Sequence, residues 1–381
     1  MTMCNGVLKE LTVSSDDKVG WPWTLETSHL VYSHRSEWPK ISIVTPSYNQ
    51  GIFLEETLRS VLLQNYPNLE LIVIDGGSKD ESVTIIQKYA SWISYWVTEE
   101  DKGQSDAINK GFQKASGEII TWINSDDLLT HGALQKAAEH FLNLPDDAGL
   151  IHGGMILFNE KTELETRFTY LKPSRESYLS GIVFSQPAAF FKKKYLDHVG
   201  YLRKELHYGM DYDLFMRLSL VSNFYPVNEV FAKYRVHSQS KSVAQTNQFI
   251  GDWKKTFVNL CKNLNWKKGL ELMNAGGVFK DELDFYYPFN FKCEPVIISS
   301  IQPEKAIYFH LGHVLKDLYW TGKLEEASAL MNLLENNFPK NWIKEDSRLE
   351  TVCRKLKIPR FVLKSIKKVK AIFKKMDTDK K

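Results

Sequence analysis

The sequence predicts an α/β fold, a mostly parallel sheet flanked by helices. Strand and helix patterns alternate from residue 41 onward, and a polar loop follows the strand runs. Ile41-Ser-Ile-Val-Thr45 is a short β-branched run broken by Pro46-Ser-Tyr-Asn49, which reads as a first strand and its loop. Phe53 to Asn65 carries apolar residues at 54, 58, 61 and 62, the spacing of one helix face, and Pro67 follows its end. Leu69 to Ile74 is nearly all apolar, as a strand covered on both faces should be, and stops at Asp75-Gly-Gly-Ser78. Glu81 to Tyr89 then reads as helix, Ile93 to Val97 as strand, Ser105 to Ala115 as helix, and Ile119 to Ile123 as a strand ending at Asn124-Ser-Asp-Asp127. The polar loops 45–49, 75–78 and 124–127 share one address, the carboxyl edge of the sheet, where ligands bind in open α/β folds.

Further along, Leu150 to Phe158 and Phe168 to Tyr170 read as strands, Gly181 to Phe191 as a strand pair, and Asp211 to Val221 as a helix. From about residue 246 the pattern is helical, clearest over Trp253 to Leu264 and Ala306 to Asn336; Leu311 to Ala327 with Pro339 behind it suits either a tetratricopeptide-like hairpin or a generic helix pair. Residues 1–39, with Trp21, Pro22, Trp23 and Trp38, lack periodicity and read as an irregular arm on the surface. The expected division is an arm at 1–39, an α/β domain at 40–245, a helical region at 246–358 and a basic tail at 359–381.

At 381 residues the chain exceeds one typical core, and 43% apolar with 25% charged residues matches a globular protein able to bury one. The formal charge of +3 is too small to argue for nucleic acid. Cys4, Cys261, Cys293 and Cys353 lie far apart without a CxxC pair, so neither a zinc site nor a disulfide framework is expected, and a reducing cytoplasm fits. The N-terminus has no long apolar core of a secretion signal, and no run of 18 apolar residues predicts a membrane span.

Several polar residues sit where chemistry could occur. Asp75 ends a strand before Gly76 and Gly77, so its carboxylate could accept from a ribose or a base edge, or simply form an Asx turn. Asp126 and Asp127 are adjacent carboxylates after an apolar run, a costly pairing unless a cation shares them; Mg²⁺ takes one or two protein carboxylates and fills its shell from water and phosphate. A helix N-cap is the structural alternative. Asp211 begins a helix whose dipole favours the ionised form, which suits a general base, while Asp213 and Arg217 are spaced as an i,i+4 pair. His237, in the polar loop Tyr234 to Ser242, could ligate a metal, and Arg235 or Lys241 could meet phosphate.

Val44-Thr-Pro-Ser-Tyr-Asn49, Val73-Ile-Asp-Gly-Gly-Ser78, Asp101 to Gly111, Gly117 to Asp127, and Met210-Asp211 together resemble family 2 glycosyltransferases of the GT-A fold, over roughly residues 40 to 242. The resemblance implies an inverting enzyme that uses a divalent metal ion, Mg²⁺ or Mn²⁺, and moves sugar from a nucleotide diphosphate donor, UDP-sugar favoured, to an acceptor hydroxyl. It implies that Thr45, Pro46 and Tyr48 line the base pocket and that Asp75 holds the nucleoside. Asp126 and Asp127 would form the DxD-type site, Asp211 would be the base, and Lys102, Gln104 and Asn109 would lie near the donor sugar or diphosphate. Two positions depart from the family pattern: Met210 replaces the usual Glu before the base, and Asn124 replaces an Asp at the head of the metal motif.

In the tail, apolar residues at 362, 366, 369, 373 and 376 face away from lysines at 364, 367, 368, 370, 374 and 375, as in a helix lying on an anionic membrane or one docking on the protein. A lipid-linked or glycan acceptor at the inner face of the cell membrane would account for such a tail. Two rivals differ in class. A non-catalytic nucleotide-sugar scaffold would explain the missing Glu, whereas a dinucleotide oxidoreductase needs a GxGxxG that Thr45 to Gly51 lacks.

Overall fold

The computed structural model describes residues 6–11, 18–159, 162–168, 173–237, 246–279 and 281–357. The chain divides into two compact units, residues 1–256 with 287–301, and residues 257–286 with 302–381. The basic tail expected at 359–381 lies outside the described residues, as do Tyr170 and Lys241.

In the first unit the described strands are β1 Ile41–Ser47, β2 Leu69–Asp75, β3 Tyr95–Thr98, β4 Ile119–Trp122, β5 Leu128–Leu129, β6 Ala148–Phe158, β7 Glu163–Arg167, β8 Ala189–Lys192 and β9 Asn223–Arg235. They form one sheet in the order β3-β2-β1-β4-β8-β6-β9-β5, with β7 on β6. The helices are α1 Gly51–Leu62, α2 Ser82–Tyr89, α3 Gln104–Lys114, α4 Ala133–Asn143, α5 Arg175–Ser180, α6 Lys193–Val199 and α7 Met210–Ser219. The parallel pattern read from the sequence holds across β3-β2-β1-β4, where helices provide the crossovers. Past β4 the sheet is mixed: β8 is antiparallel to both β4 and β6, whereas β9 is parallel to β6.

Helices on the sheet explain why β1 is buried along its whole length, with Ile41, Ile43 and Val44 fully enclosed. α3 approaches β1 closely at Gly111, where any Cβ would run into the Val44 side chain. At the opposite edge from the polar loops, Glu70 accepts from Lys40 Nζ (2.6 Å), Ser42 Oγ (2.5 Å), Ser116 N (2.7 Å) and Ser116 Oγ (2.7 Å), tying β1, β2 and the turn before β4 together.

Several sequence expectations are corrected. Between 181 and 191 only Ala189–Lys192 is strand; a 3₁₀ turn, Gln186–Ala188, precedes it, because Pro187 has no N–H to give a ladder. The 13-residue β9 was hidden by Pro226 and a broken alternation, and its register against β6 shifts on either side of that proline's pairing. Glu163–Arg167 is a strand, exposed throughout, that ends just before Phe168; the rest of the strand expected at Phe168 to Tyr170 lies outside the described residues. Leu128 enters β5 rather than a helix, and α4 starts only after Gly132 at φ 74°. The arm is also not merely superficial: Trp21 Nε1 donates to Leu129 O (2.8 Å), Arg59 of α1 donates to Pro22 O (3.0 Å) and Trp23 O (2.9 Å), and Tyr32 and Trp38 are buried in the main core.

The second unit is helical. Pro303–Trp320 and Leu324–Asn337 form a helix pair joined at Gly322 (φ 82°), against which Ser347–Leu356 packs, with Leu311, Val314, Leu315, Leu330 and Leu349 in its core. Among the described residues no helix is long and apolar enough to cross a membrane, and Cys261, Cys293 and Cys353 are free thiols.

Candidate active site

The loops after β1 and β2 are zipped together at the carboxyl edge. Asn49, at φ 51°, donates its main-chain N–H to Ser78 Oγ (2.8 Å) and accepts from Lys79 N (2.8 Å). Gln50 N donates to Ser82 Oγ (3.1 Å), and Asp80 accepts from Gly51 N (2.8 Å), capping α1 from a neighbouring loop. Below this seam Thr45 Oγ1, Ser47 Oγ and Gln50 Oε1 are buried without a hydrogen-bond partner among the described residues, which leaves them able to meet polar atoms of a ligand. Pro46 is buried, whereas Tyr48 is 61% exposed and borders Gly76. Asp75 forms the Asx-type turn that its sequence allowed as one of two roles. Its carboxylate is fully buried and accepts from Gly77 N (3.1 Å), Ser78 N (2.9 Å), Ser78 Oγ (2.5 Å) and Thr98 Oγ1 (2.6 Å), so it shapes the turn.

The loop 124–127 is held from three sides. Thr57 of α1 donates to Ser125 O and shares contact with Asp127 O (2.8 Å each), Gln104 of α3 donates to Asn124 Oδ1 (2.8 Å), and Arg235 at the end of β9 donates Nε–H to Asp126 O (3.0 Å). The two carboxylates part company here. Asp127 is buried, accepting from Arg235 N (3.0 Å) and Asn124 Nδ2 (3.3 Å), and burial, with the Asp126 charge adding, holds its carboxyl well above the usual range. Asp126 is the more open one, and its Oδ2 lies 3.0 Å from His237 Nε2. Arg235, read from sequence as a phosphate contact, spends its guanidinium on Asp126 O and on Glu56 Oε2 (2.6 Å) and is buried.

Among the described residues, no three His, Cys, Asp or Glu side chains gather as a metal cage. The Asp126–His237 pair nevertheless suits a cation that keeps most of its shell for phosphate and water. The pair is joined by a hydrogen bond of 3.0 Å, so one carboxylate and one imidazole that could act as ligands already stand side by side.

Asp211 is placed by α7. Asp252 accepts from Tyr208 N (2.8 Å) and Gly209 N (3.3 Å) just ahead of the helix, and Asp213 is buried between Arg203 (2.6 Å) and Arg217 (2.8 Å), the i,i+4 pair expected from the sequence. Arg217 also fixes the carbonyls of Val199, Gly200 and Tyr201, while Asn109 brackets Leu202 through its N (2.9 Å) and O (2.8 Å). Asn109 is therefore a brace for this loop rather than an open donor contact. Asp211 itself is partly buried, its carboxylate accepts from Tyr212 N (2.8 Å), and burial pushes its carboxyl up to about 6. The preceding Met210 receives a contact from Ser105 Oγ (2.8 Å), next to the Gln104 that holds Asn124. Through α3 the Asp211 turn and the 124–127 loop are thus consecutive neighbours. Lys102 is exposed beside α3, its main-chain N–H donating to Asp106 (3.0 Å).

Residues 42–200 match the family model described as Glycosyl transferase family 2. Residues 42–200 thus carry a domain of this glycosyltransferase family. An uncharacterized glycosyltransferase of Rickettsia typhi is 26% identical over 281 residues, covering 71% of this chain and 86% of the relative. The GalNAc(5)-diNAcBac-PP-undecaprenol beta-1,3-glucosyltransferase of Campylobacter jejuni is 28% identical over 215 residues, 55% of this chain and 66% of that one. The crystal structure of S. aureus TarS 1-349 in complex with UDP-GlcNAc shares the fold at TM-score 0.52 and 16% identity, covering 82% of this glycosyltransferase and 83% of that chain. The fold is GT-A, the protein is an enzyme of the glycosyltransferase class, and Asp211 and His237 lie beyond the matched span.

Proposed function

We propose that this glycosyltransferase is inverting and metal-dependent, moving a sugar from a nucleotide diphosphate donor to a hydroxyl of a glycan or lipid-linked acceptor. The observation that carries the reading is Asp211, a carboxylate at a helix N-terminus, lifted by burial to about 6 and joined through α3 to the loop of Asp126. A base is most effective when its pKa lies near the working pH. As the acceptor oxygen attacks the anomeric carbon, its proton passes to Asp211 and the anomeric bond to the diphosphate breaks, the electron pair leaving with the phosphate oxygen. A divalent ion, when bound, would neutralise that departing charge. Asp126 and His237 would hold it, and Asp127, anchored by Arg235, keeps the loop in shape.

The unpartnered Thr45, Ser47 and Gln50 atoms, with Tyr48 at the rim, suit the nucleoside. Asp75 contributes by fixing the Gly76-Gly77 turn, and Lys102 and Gln104 border the diphosphate end. TarS holding UDP-GlcNAc makes UDP-sugars the first donors to test, and the Campylobacter relative's name favours a lipid-linked acceptor in polysaccharide assembly. The basic amphipathic segment 359–381 would bring such an enzyme to the inner face of an anionic membrane. The deciding experiment is Asp211→Asn: UDP-sugar binding retained with turnover reduced at least about 100-fold supports the base assignment. Undiminished turnover removes it.

A further inference from the structure

We propose that Arg235 is a positioning residue that sets the Asp126–His237 pair, acting with Glu56 as a latch between β9, α1 and the 124–127 loop. The inference rests on the proposed metal and diphosphate role of that pair.

Thr57 and Gln104 also hold the loop, but Arg235 joins it to both Glu56 and the strand that carries His237. The Arg235 main-chain N–H binds Asp127 Oδ1 (3.0 Å), its Nε–H binds Asp126 O (3.0 Å), and its Nη2 binds Glu56 Oε2 (2.6 Å). Its guanidinium packs on Phe53 (4.8 Å) and Phe158 (4.4 Å), so the fork is fixed in plane as well as in direction. His237 follows two residues later and packs on the same Phe53 ring, with centroids 4.8 Å apart. Val236 N donates to Phe158 O (2.8 Å), continuing the strand pairing as far as the histidine. Phe53 of α1 and the Arg235 turn thus flank the imidazole where it meets Asp126. A half-buried ion pair such as Arg235–Glu56 is weak evidence for stability, since apolar side chains of similar volume often serve as well, but it fixes geometry. Lysine, a point charge, could reach Glu56 or Asp126 O but could not span both in one plane.

The test measures free Mn²⁺ by its electron paramagnetic resonance signal during titration of the full chain with UDP present. Supporting partners of ligands usually shift metal affinity 10- to 100-fold. In Arg235→Gln the half-saturating Mn²⁺ concentration is expected to rise at least about tenfold, in Arg235→Lys nearly as much, and in Glu56→Gln by a few fold. The donor KM should rise in parallel while kcat at saturating Mn²⁺ stays near wild type. Should Arg235→Gln fail to fold, Arg235→Lys and Glu56→Gln carry the test, with circular dichroism reporting their fold. Native-like Mn²⁺ affinity in folded Arg235→Lys overturns the latch and leaves the metal reading standing. Wild-type UDP binding indifferent to Mn²⁺, and equally indifferent to Asp126→Asn, overturns the metal reading and the latch with it.

Discussion

Asp211 bears a stability cost that its proposed chemistry explains. Its folded pKa of about 6 lies above the roughly 3.9 of an unfolded aspartate, so the folded chain binds the proton more tightly between those values. Stability contributed at this site is therefore present below about pH 4 and is lost as pH rises to about 6. Asp211→Asn should accordingly stabilise the fold at pH 7.5 by about 1–2 kcal/mol after allowing for partial exposure, seen as a higher melting temperature, and the gain should vanish near pH 4. A melting profile parallel to wild type at all pH values would show that burial does not penalise the charge. In the wild type, kcat/KM should fall about tenfold per pH unit below about 6, a limb that a pH–rate profile would reveal. The sequence made Asp211 legible because a helix start and a familiar dipeptide coincide. It could not show that Asp127 is enclosed and Asp126 open, because adjacent residues in a loop carry no signal of which way each points.

At the scale of elements, the loops that build the site are held by polar residues from other loops, while the opposite end of the sheet is pinned by Glu70. Burial raises the Glu70 pKa, but hydrogen bonds from Lys40, Ser116 and Ser42 outweigh it and draw the carboxyl down to about 2. Its contribution is thus fully present above the unfolded pKa of about 4.3 and is lost as pH falls towards 2. Glu70→Gln should cost on the order of 1–2 kcal/mol at pH 7, discounted for the partly exposed Lys40, and progressively less below pH 4, as measured by urea denaturation. Between 41 and 123 the elements were readable because each carries its own apolar period. β9 was not, since Pro226 and half-buried side chains erase the alternation, and only its pairing with β6 makes it a strand.

For the whole molecule, the sequence-derived tail leads to a separable expectation. A chain lacking residues 359–381 should lose most of its sedimentation with phosphatidylglycerol vesicles at low salt, whereas the full chain should bind and be released as salt rises. Equal sedimentation of both would end the membrane assignment. The sequence by itself determined the α/β class, the carboxyl-edge loops and the identity of Asp75, Asp126, Asp127 and Asp211 as the acids to watch, because strand and helix periods and loop chemistry are local properties. Only the tertiary structure decided that Asp75 and Asn109 serve as braces, that the arm enters the core, and that Arg235 and His237 meet Asp126 across more than 100 positions of chain. Those pairings depend on which strand the sheet places beside which loop, and that choice is made by packing rather than by any local pattern.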